Sequence, residues 1–136
     1  MQMPGDMRAF NENLITEFRA NGGKLSGQLA NSSLLLLTTV GARTGQSRVT
    51  PLGFVRDGDR YVVIAANAGA DRHPDWYYNL LAHPQVVVEV GNERFEATAR
   101  TAELDERERL AAMIPYFAAQ QTKTQRKIPV VVLDRV

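Results

Sequence analysis

The chain has 136 residues, the length of one ordinary domain, and it is 44% hydrophobic and 23% charged, as soluble globular proteins are. Its net charge of +1 gives no general attraction to nucleic acids or acidic membranes, so any binding of anions must be local. The absence of cysteine excludes disulfides, thiolate nucleophiles and cysteine-based metal sites.

The N-terminal segment predicts an amphipathic helix over residues 6–20. Its apolar residues recur at helical spacing: Met7, Phe10, Leu14 and Phe18. Asp6 can cap its start, and a polar loop, Lys24 to Ser33, is predicted to follow it. The segment has no apolar signal-peptide core, so we expect a cytoplasmic protein. Peripheral membrane contact through the helix stays open, although its polar face is not rich in lysine or arginine.

Three strands are predicted next. Leu34 to Val40 is uniformly apolar or β-branched, which is typical of a strand buried on both faces. Val49 to Val55 follows, and Pro51 inside it indicates an edge strand, a bulge or a ligand contact, because proline donates no ladder hydrogen bond. The hairpin turn Asp57-Gly58-Asp59 then leads into a third strand, Arg60 to Ala66.

The turn between the first two strands is rich in groups that bind anions. It contains two guanidiniums, two hydroxyls and two glycines: Gly41, Arg43, Thr44, Gly45, Gln46, Ser47 and Arg48. Glycine lets backbone N–H groups converge, and arginine offers a fork of donors. The turn therefore predicts a site for an anionic ligand, although a solvated basic hairpin loop would contain the same residues.

A loop of small residues, Asn67 to Pro74, leaves the third strand, and its backbone could lie against a flat ring. The alternative is an ordinary surface loop. A short helix, Pro74 to Ala82, is predicted after it. His73 and His83 both precede prolines and lack a second ligand at metal-binding spacing, so no metal site is predicted.

The sequence of the C-terminal half predicts three strands, with one broken helix between the second and the third. The strands are Gln85–Val90, Phe95–Thr101 and Ile128–Leu133. The helix starts at Asp105, with Glu108 as its capping-box partner, and Pro115 should break it.

Consecutive hairpins without intervening helices favour a mainly β (α+β) fold, a partly opened barrel of about six mostly antiparallel strands with peripheral helices. We expect a single domain over residues 1–136, with its barrel core at 34–136. The sequence lacks a nucleophile elbow, a P-loop and a dinucleotide-binding glycine motif. A small domain with these features would take its reactivity from a cofactor.

Four blocks of the sequence resemble the deazaflavin-dependent nitroreductase family in their order and spacing. They are LLLTTVGARTGQSRVTPL at 35–52, VIAANAG at 63–69, PDWYYNL at 74–80 and IPVVV at 128–132. The resemblance implies a split β-barrel of the flavin-reductase-like kind. It also implies coenzyme F420, a deazaflavin with a phosphate and an oligoglutamate tail.

The resemblance also implies roles for individual residues. The phosphate and tail would be held by Arg43, Thr44, Gly45, Gln46, Ser47 and Arg48. The ring system would be contacted by Pro51, Ala65, Ala66, Asn67, Ala68 and Gly69. The site would be closed by Asp75, Trp76, Tyr77 and Asn79. Tyr116 and Phe117 would bind substrate, and the Tyr116 hydroxyl would assist protonation, with a packing role as its alternative.

The implied reaction is hydride transfer from the reduced deazaflavin to an electron-poor acceptor, such as a quinone, an enone or a nitroaromatic compound. An FMN-dependent reductase on the same fold and a non-catalytic F420-binding carrier are the alternatives. The partner is a small molecule and not a nucleic acid, and a monomer and a homodimer are both compatible with the sequence.

Overall fold

The computed structural model of the protein describes residues 4–27 and 33–136, with side chains from residue 9 onward in those ranges. The predicted cap at Asp6 and the packing of Met7 lie outside the described side chains. Residues 28–32 of the predicted loop also lie outside the described residues.

The described residues form seven strands and four α-helices. The strands are β1 Leu34–Val40, β2 Ser47–Gly53, β3 Val55–Asp57, β4 Arg60–Ile64, β5 Gln85–Val90, β6 Glu93–Thr101 and β7 Val130–Arg135. The helices are α1 Pro4–Ala20, α2 Asp75–Ala82, α3 Leu104–Ala112 and α4 Phe117–Gln121, with a 3-10 turn at Asn67–Gly69. The predicted second strand is two strands, β2 and β3, because pairing is interrupted at Phe54. The predicted break at Pro115 is confirmed, and it separates α3 from α4.

All the strands pair antiparallel in one sheet, in the order β2-β1-β5-β6-β7-β4-β3. The edge strands β2 and β3 are joined through Phe54 alone. A flat sheet of this size would be about 29 Å wide, whereas two Cα steps span about 7 Å at most. The sheet therefore curls until its two edges approach each other. This curled half-barrel confirms the predicted fold class, and the predicted edge position of Pro51 is confirmed as well.

The core lies on both faces of the curled sheet. Inside the curl, Leu35 and Leu37 pack with side chains of the other strands and with the buried face of α2. On the outer face, Leu36 packs against Leu14 and Phe18 of α1. The prediction that the first strand is buried on both faces is thus confirmed. None of the described helices is long and apolar enough to cross a membrane.

The predicted capping box of α3 is wrong by two residues. The structure uses Glu103 as the N-cap and Glu106 as its partner, and the Glu103 N–H donates to Glu106 Oε1 at 3.1 Å. The Asp105–Glu108 pair has the same spacing, so sequence alone does not separate the two. The position of the strand before the helix decides, because the Ala102 N–H donates to the Val130 carbonyl and fixes where the turn begins.

An ion pair joins the turn between β3 and β4 to α3. Both oxygens of Asp57 accept hydrogen bonds from Arg109, at 3.1 and 3.2 Å, and Asp57 also pairs with Arg60. Hydrogen bonds from these two guanidiniums lower the pKa of Asp57 from 3.8 to about 2, and the bonds from Arg109 have the larger effect. The bidentate geometry makes this pair stronger than an isolated surface ion pair.

We expect Asp57→Asn to destabilise the fold near neutral pH. The folded-state pKa lies below the unfolded value, so the contribution of Asp57 is fully present above about pH 4 and is lost as pH falls through about 2. Urea unfolding midpoints of the variant and the wild type should therefore differ at pH 7 and converge near pH 2. Asp59→Asn, in the same turn, is the matched control. A difference that does not depend on pH would contradict the ion-pair explanation.

Candidate functional site

Two clefts adjoin on one side of the half-barrel, and we call them the basic cleft and the apolar cleft. The basic cleft, of about 760 Å³, is lined by Gly41, Ala42, Arg43, Thr44, Arg48, Val49, Thr50, Arg72, Asp75, Trp76, Tyr78 and Asn79. The apolar cleft, of about 460 Å³, is lined by Thr50, Leu52, Gly53, Ile64, Ala66, Asn67, Ala68, Pro74, Trp76, Tyr116 and Gln120. Thr50 and Trp76 line both, so the two clefts meet there.

The basic cleft carries three guanidiniums against one carboxylate. Arg43 and Arg48 are exposed, and neither makes an ion pair with another residue that the structure describes. Arg72 lies over the Tyr78 ring and is 3.3 Å from the exposed carboxylate of Asp75. An exposed pair of this kind is weak. The cleft therefore offers an excess of positive charge and free N–H donors to an anion.

The basic turn is held in shape by its own hydrogen bonds. The Gly41 N–H donates to the Gln46 carbonyl at 2.8 Å, and the Gly45 N–H donates to the Gly41 carbonyl at 3.0 Å. A Cβ at Gly41 would lie 2.8 Å from Thr44 Oγ1, so only glycine allows this close approach. Thr44 Oγ1 also accepts from the Gln46 N–H, at 3.2 Å. The turn is therefore pre-formed.

Asn79 fixes this turn to helix α2. Its side chain is buried, with Oδ1 accepting from the Ala42 N–H at 2.9 Å and Nδ2 donating to Thr39 Oγ1 at 3.2 Å. Buried amides need partners on both ends, and both ends of this one are satisfied. Asn79 lines the basic cleft and also positions the turn that carries Arg43 and Arg48.

One wall of the apolar cleft is the backbone-rich loop after β4. Asn67 and Ala68 both adopt left-handed conformations, with φ of 50° and 53°. Such conformations cost about 1–3 kcal/mol each and persist only when surrounding contacts enforce them. The small side chain of Ala68 leaves the cleft open at this wall.

Arg126 binds the backbone on both sides of these two residues. Its guanidinium donates to the carbonyls of Ala65 at 3.1 Å, Ala70 at 2.8 Å and Ala66, and to Nδ1 of His73 at 2.8 Å. The ring of His73 is therefore neutral with Nδ1 as the acceptor. Desolvation, and then the charge of Arg126, lower the pKa of His73 and favour that neutral form.

A second wall of the apolar cleft is formed by the turn before α4 and by α4 itself. Tyr116 is 38% exposed, and its Oη lies 2.9 Å from where a Cβ would stand at Gly53, so the absence of a side chain there makes room for the hydroxyl. Partial burial raises the pKa of Tyr116 above 10, so the hydroxyl keeps its proton at neutral pH. Gln120 lines the same wall, and its Oε1 is buried with no hydrogen-bond partner among the described residues. This wall thus offers one donor and one unsatisfied acceptor.

Ten of the eighteen residues predicted for the site line these clefts, Trp76 lining both, and the other eight do not. In the basic cleft lie Arg43, Thr44, Arg48, Asp75, Trp76 and Asn79. In the apolar cleft lie Ala66, Asn67, Ala68, Trp76 and Tyr116. Neither cleft is lined by Gly45, Gln46, Ser47, Pro51, Ala65, Gly69, Tyr77 or Phe117.

Two of the outlying residues have clear structural reasons. Pro51 stands between Thr50 and Leu52 in β2, and successive side chains of a strand point to opposite faces. Tyr77 is buried in the core, and its Oη is 2.7 Å from Thr101 Oγ1.

The prediction from sequence missed Gln120 and Arg126. Arg126 stands in the segment KTQRK, which has the composition of a solvated surface turn. No local signal distinguishes it, because its acceptors lie 53 to 61 residues earlier in the chain. Among the described residues, no group of three or more His, Cys, Asp or Glu side chains could hold a metal ion.

Comparison with known proteins shows which family this chain belongs to. The model of the F420H(2)-dependent quinone reductase family matches residues 11–135. An F420H(2)-dependent quinone reductase of Mycobacterium tuberculosis is 37% identical over 126 residues, covering 87% of this chain and 85% of the relative.

Comparison with solved structures points to the same family. An F420-H2-dependent reductase is 39% identical with a TM-score of 0.67, covering 75% of this chain and 94% of its own. A second structure, described as a domain-swapped dimer, is 34% identical with a TM-score of 0.70, and the match covers 97% of this chain and 100% of that one. The predicted kinship with F420-dependent reductases and the predicted coenzyme are confirmed. The chain belongs to the F420H(2)-dependent quinone reductase family.

Proposed function

We propose that this protein transfers a hydride from reduced coenzyme F420 to a quinone bound in the apolar cleft. The observation that carries the proposal is the junction of two unlike clefts at Thr50 and Trp76. A basic cleft suits an anionic tail, whereas an apolar cleft walled by small residues suits flat rings. F420 has both parts in one molecule.

The residues present fit this coenzyme. Arg43 and Arg48 would hold the phosphate and the tail, since their guanidiniums are free to pair with an anion. Arg72, on the far side of the basic cleft, adds a third positive charge. The pre-formed turn means that little ordering entropy is lost when the anion binds. Ala66, Asn67 and Ala68 would lie beside the ring system, where short side chains leave the backbone accessible.

When bound, the reduced deazaflavin supplies the hydride. The chain contributes position, exclusion of water and a hydrogen-bond donor. The apolar cleft is lined by Leu52, Ile64 and Trp76, the last only 7% exposed, which keeps the reacting atoms away from bulk water. Tyr116, protonated at neutral pH, can donate a hydrogen bond to the quinone oxygen that gains negative charge.

Quinones, enones and nitroaromatic compounds share an electron-poor π-system with an oxygen acceptor. We propose a quinone as the preferred acceptor, supported by the names that the relatives carry. The apolar cleft, of about 460 Å³, has the size of a small-molecule pocket, and the coenzyme ring and the quinone headgroup would share it. Enones and nitroaromatic compounds remain proposed secondary acceptors.

We also propose that the protein is a single domain over residues 1–136 that works in the cytoplasm as a monomer or a homodimer. The domain-swapped dimer among the similar structures supports the homodimer. We also propose that α1 contacts a membrane surface.

The proposed function is tested by mixing the purified protein with reduced F420 and a soluble naphthoquinone. Binding should appear as a change of coenzyme fluorescence at micromolar concentration, and turnover as oxidation of the coenzyme that depends on the quinone. Binding without turnover across quinones, enones and nitro compounds would indicate a carrier. A yellow protein that binds FMN and does not bind F420 would overturn the proposal.

We expect Arg43→Ala with Arg48→Ala to weaken F420 binding by about tenfold to a hundredfold. Hydrogen bonds to charged groups contribute about 1.5–3 kcal/mol each, and solvent screening of these exposed side chains reduces that figure. The dissociation constant, titrated by fluorescence at two ionic strengths, should be less sensitive to salt in the double variant than in the wild type.

Arg94→Ala is the matched control, because Arg94 is an exposed arginine on β6 that lines neither cleft. It should leave the dissociation constant unchanged. The thermal midpoint of the double variant should also be unchanged, since neither arginine makes an ion pair with a described residue. Wild-type affinity in the double variant would place the anion site elsewhere.

Tyr116→Phe should lower kcat more than it weakens coenzyme binding, because the hydroxyl acts on the acceptor. Loss of one such donor costs about a hundredfold to a thousandfold in kcat at other enzymes. The measurement is a pair of values, the F420 dissociation constant and kcat with a naphthoquinone. An unchanged kcat would make Tyr116 a packing residue.

Gly53→Ala should impair the wild type and be tolerated in the Tyr116→Phe background. The added Cβ meets Oη at 2.9 Å, whereas the next atom, Cζ, is 3.6 Å away in ordinary contact. A double-mutant cycle on kcat should therefore show strong coupling between the two changes. Additive effects would mean that the hydroxyl does not lie against Gly53.

A further inference from the structure

The chain between α4 and β7 lies directly against the loop that walls the apolar cleft. A Cβ at Gly69 would be 2.6 Å from the Cβ of Lys123 and 3.2 Å from its carbonyl oxygen. The two segments are thus in backbone contact, with no room for an intervening side chain. Gly69 adopts a φ of 84°, which suits glycine alone.

Arg126, in this same segment, binds the loop at four points. Its Nε donates to the Ala70 carbonyl, Nη1 to the Ala65 carbonyl and to His73 Nδ1, and Nη2 to the Ala66 carbonyl. These acceptors span the loop from the end of β4 to the residue before Pro74. One planar guanidinium therefore fixes the path of the backbone that carries Asn67 and Ala68.

Arg126 is itself held by α4. Gln121 Nε2 donates to the Arg126 carbonyl at 2.8 Å, and Gln121 Oε1 accepts from the Ile128 N–H at 3.1 Å. The Arg126 N–H donates to Thr124 Oγ1 at 3.2 Å. Because α4 begins beside Tyr116 and carries Gln120, the chain of contacts runs from one wall of the apolar cleft to the other.

The guanidinium is suited to this task and an ammonium is not. Three carbonyls and an imidazole nitrogen are met by a rigid fork, whereas a lysine would offer a compact charge on a flexible stem. Without Arg126, the three carbonyls would lose their common partner, and the backbone on both sides of Asn67 and Ala68 would no longer be fixed by one group.

We propose that Arg126 is a positioning residue of this enzyme. It holds the loop that lies beside the coenzyme ring, so that this loop keeps a fixed distance from the wall that carries Tyr116 and Gln120. This inference rests on the proposed function, since it assigns the two walls to coenzyme and acceptor. It predicts that loss of Arg126 separates turnover from binding. The basic cleft still holds the tail, but the reacting atoms are no longer aligned.

The test compares Arg126→Ala and Arg126→Lys with Arg100→Ala. Arg100 is the matched control because it is also a part-buried arginine with several partners, Glu106 and Asp134, and it lines neither cleft. Arg126→Ala should lower kcat with a naphthoquinone at least about tenfold while the F420 dissociation constant rises less than about threefold. Arg126→Lys should fall between wild type and Arg126→Ala. Arg100→Ala should keep wild-type kcat even where its thermal midpoint falls.

A second readout needs no coenzyme. Hydrogen–deuterium exchange of the peptide covering residues 65–73 should be faster in both Arg126 variants than in wild type and unchanged in Arg100→Ala. If Arg126→Ala fails to fold, Arg126→Lys carries both measurements. Unchanged exchange at 65–73, or equal loss of kcat in Arg100→Ala, would overturn the role of Arg126. Failure of the wild type to bind F420 would overturn the proposed function and the inference with it.

Discussion

The single residue that joins the two edge strands is the constraint on which the rest of the structure depends. Because only Phe54 separates β2 from β3, the seven-stranded sheet cannot lie flat. Its curl brings β2, first in the sheet, next to the end of β4, sixth in the sheet. Thr50 and Gly53 of β2 then line the same cleft as Ile64 and Ala66. The apolar cleft is a product of this closure and belongs to no single segment of the chain.

Irregular segments carry the site, and polar side chains hold them. Asn79 fixes the basic turn to α2, and Arg126 fixes the loop after β4 to the segment after α4. In both cases one side chain satisfies backbone groups that lie outside the ladder of the sheet. A site built on loops gains the rigidity of the scaffold in this way.

Charge in this protein is local and not global. The net charge is +1, yet three arginines face one cleft with a single carboxylate between them. The remaining arginines that form ion pairs, such as Arg100 and Arg109, pair with carboxylates on the surface of the sheet and of α3. The basic cleft therefore has an excess of positive charge in a protein of nearly neutral net charge, and this excess attracts an anion to the cleft.

The sequence by itself determined most of the elements and predicted the chemistry of the site. Periodicity placed most strands and helices, Pro51 indicated an edge, a bulge or a ligand contact, Pro115 marked a break, and the clustered arginines predicted an anion site, because each of these signals is contained within a few neighbouring residues. Tertiary structure decided what those signals could not: the curl that joins two clefts, the use of Glu103 in place of Asp105 as a cap, and the role of Arg126. The acceptors of Arg126 lie up to 61 residues away, and contacts at that separation depend on how the whole chain packs and leave no pattern in the local sequence.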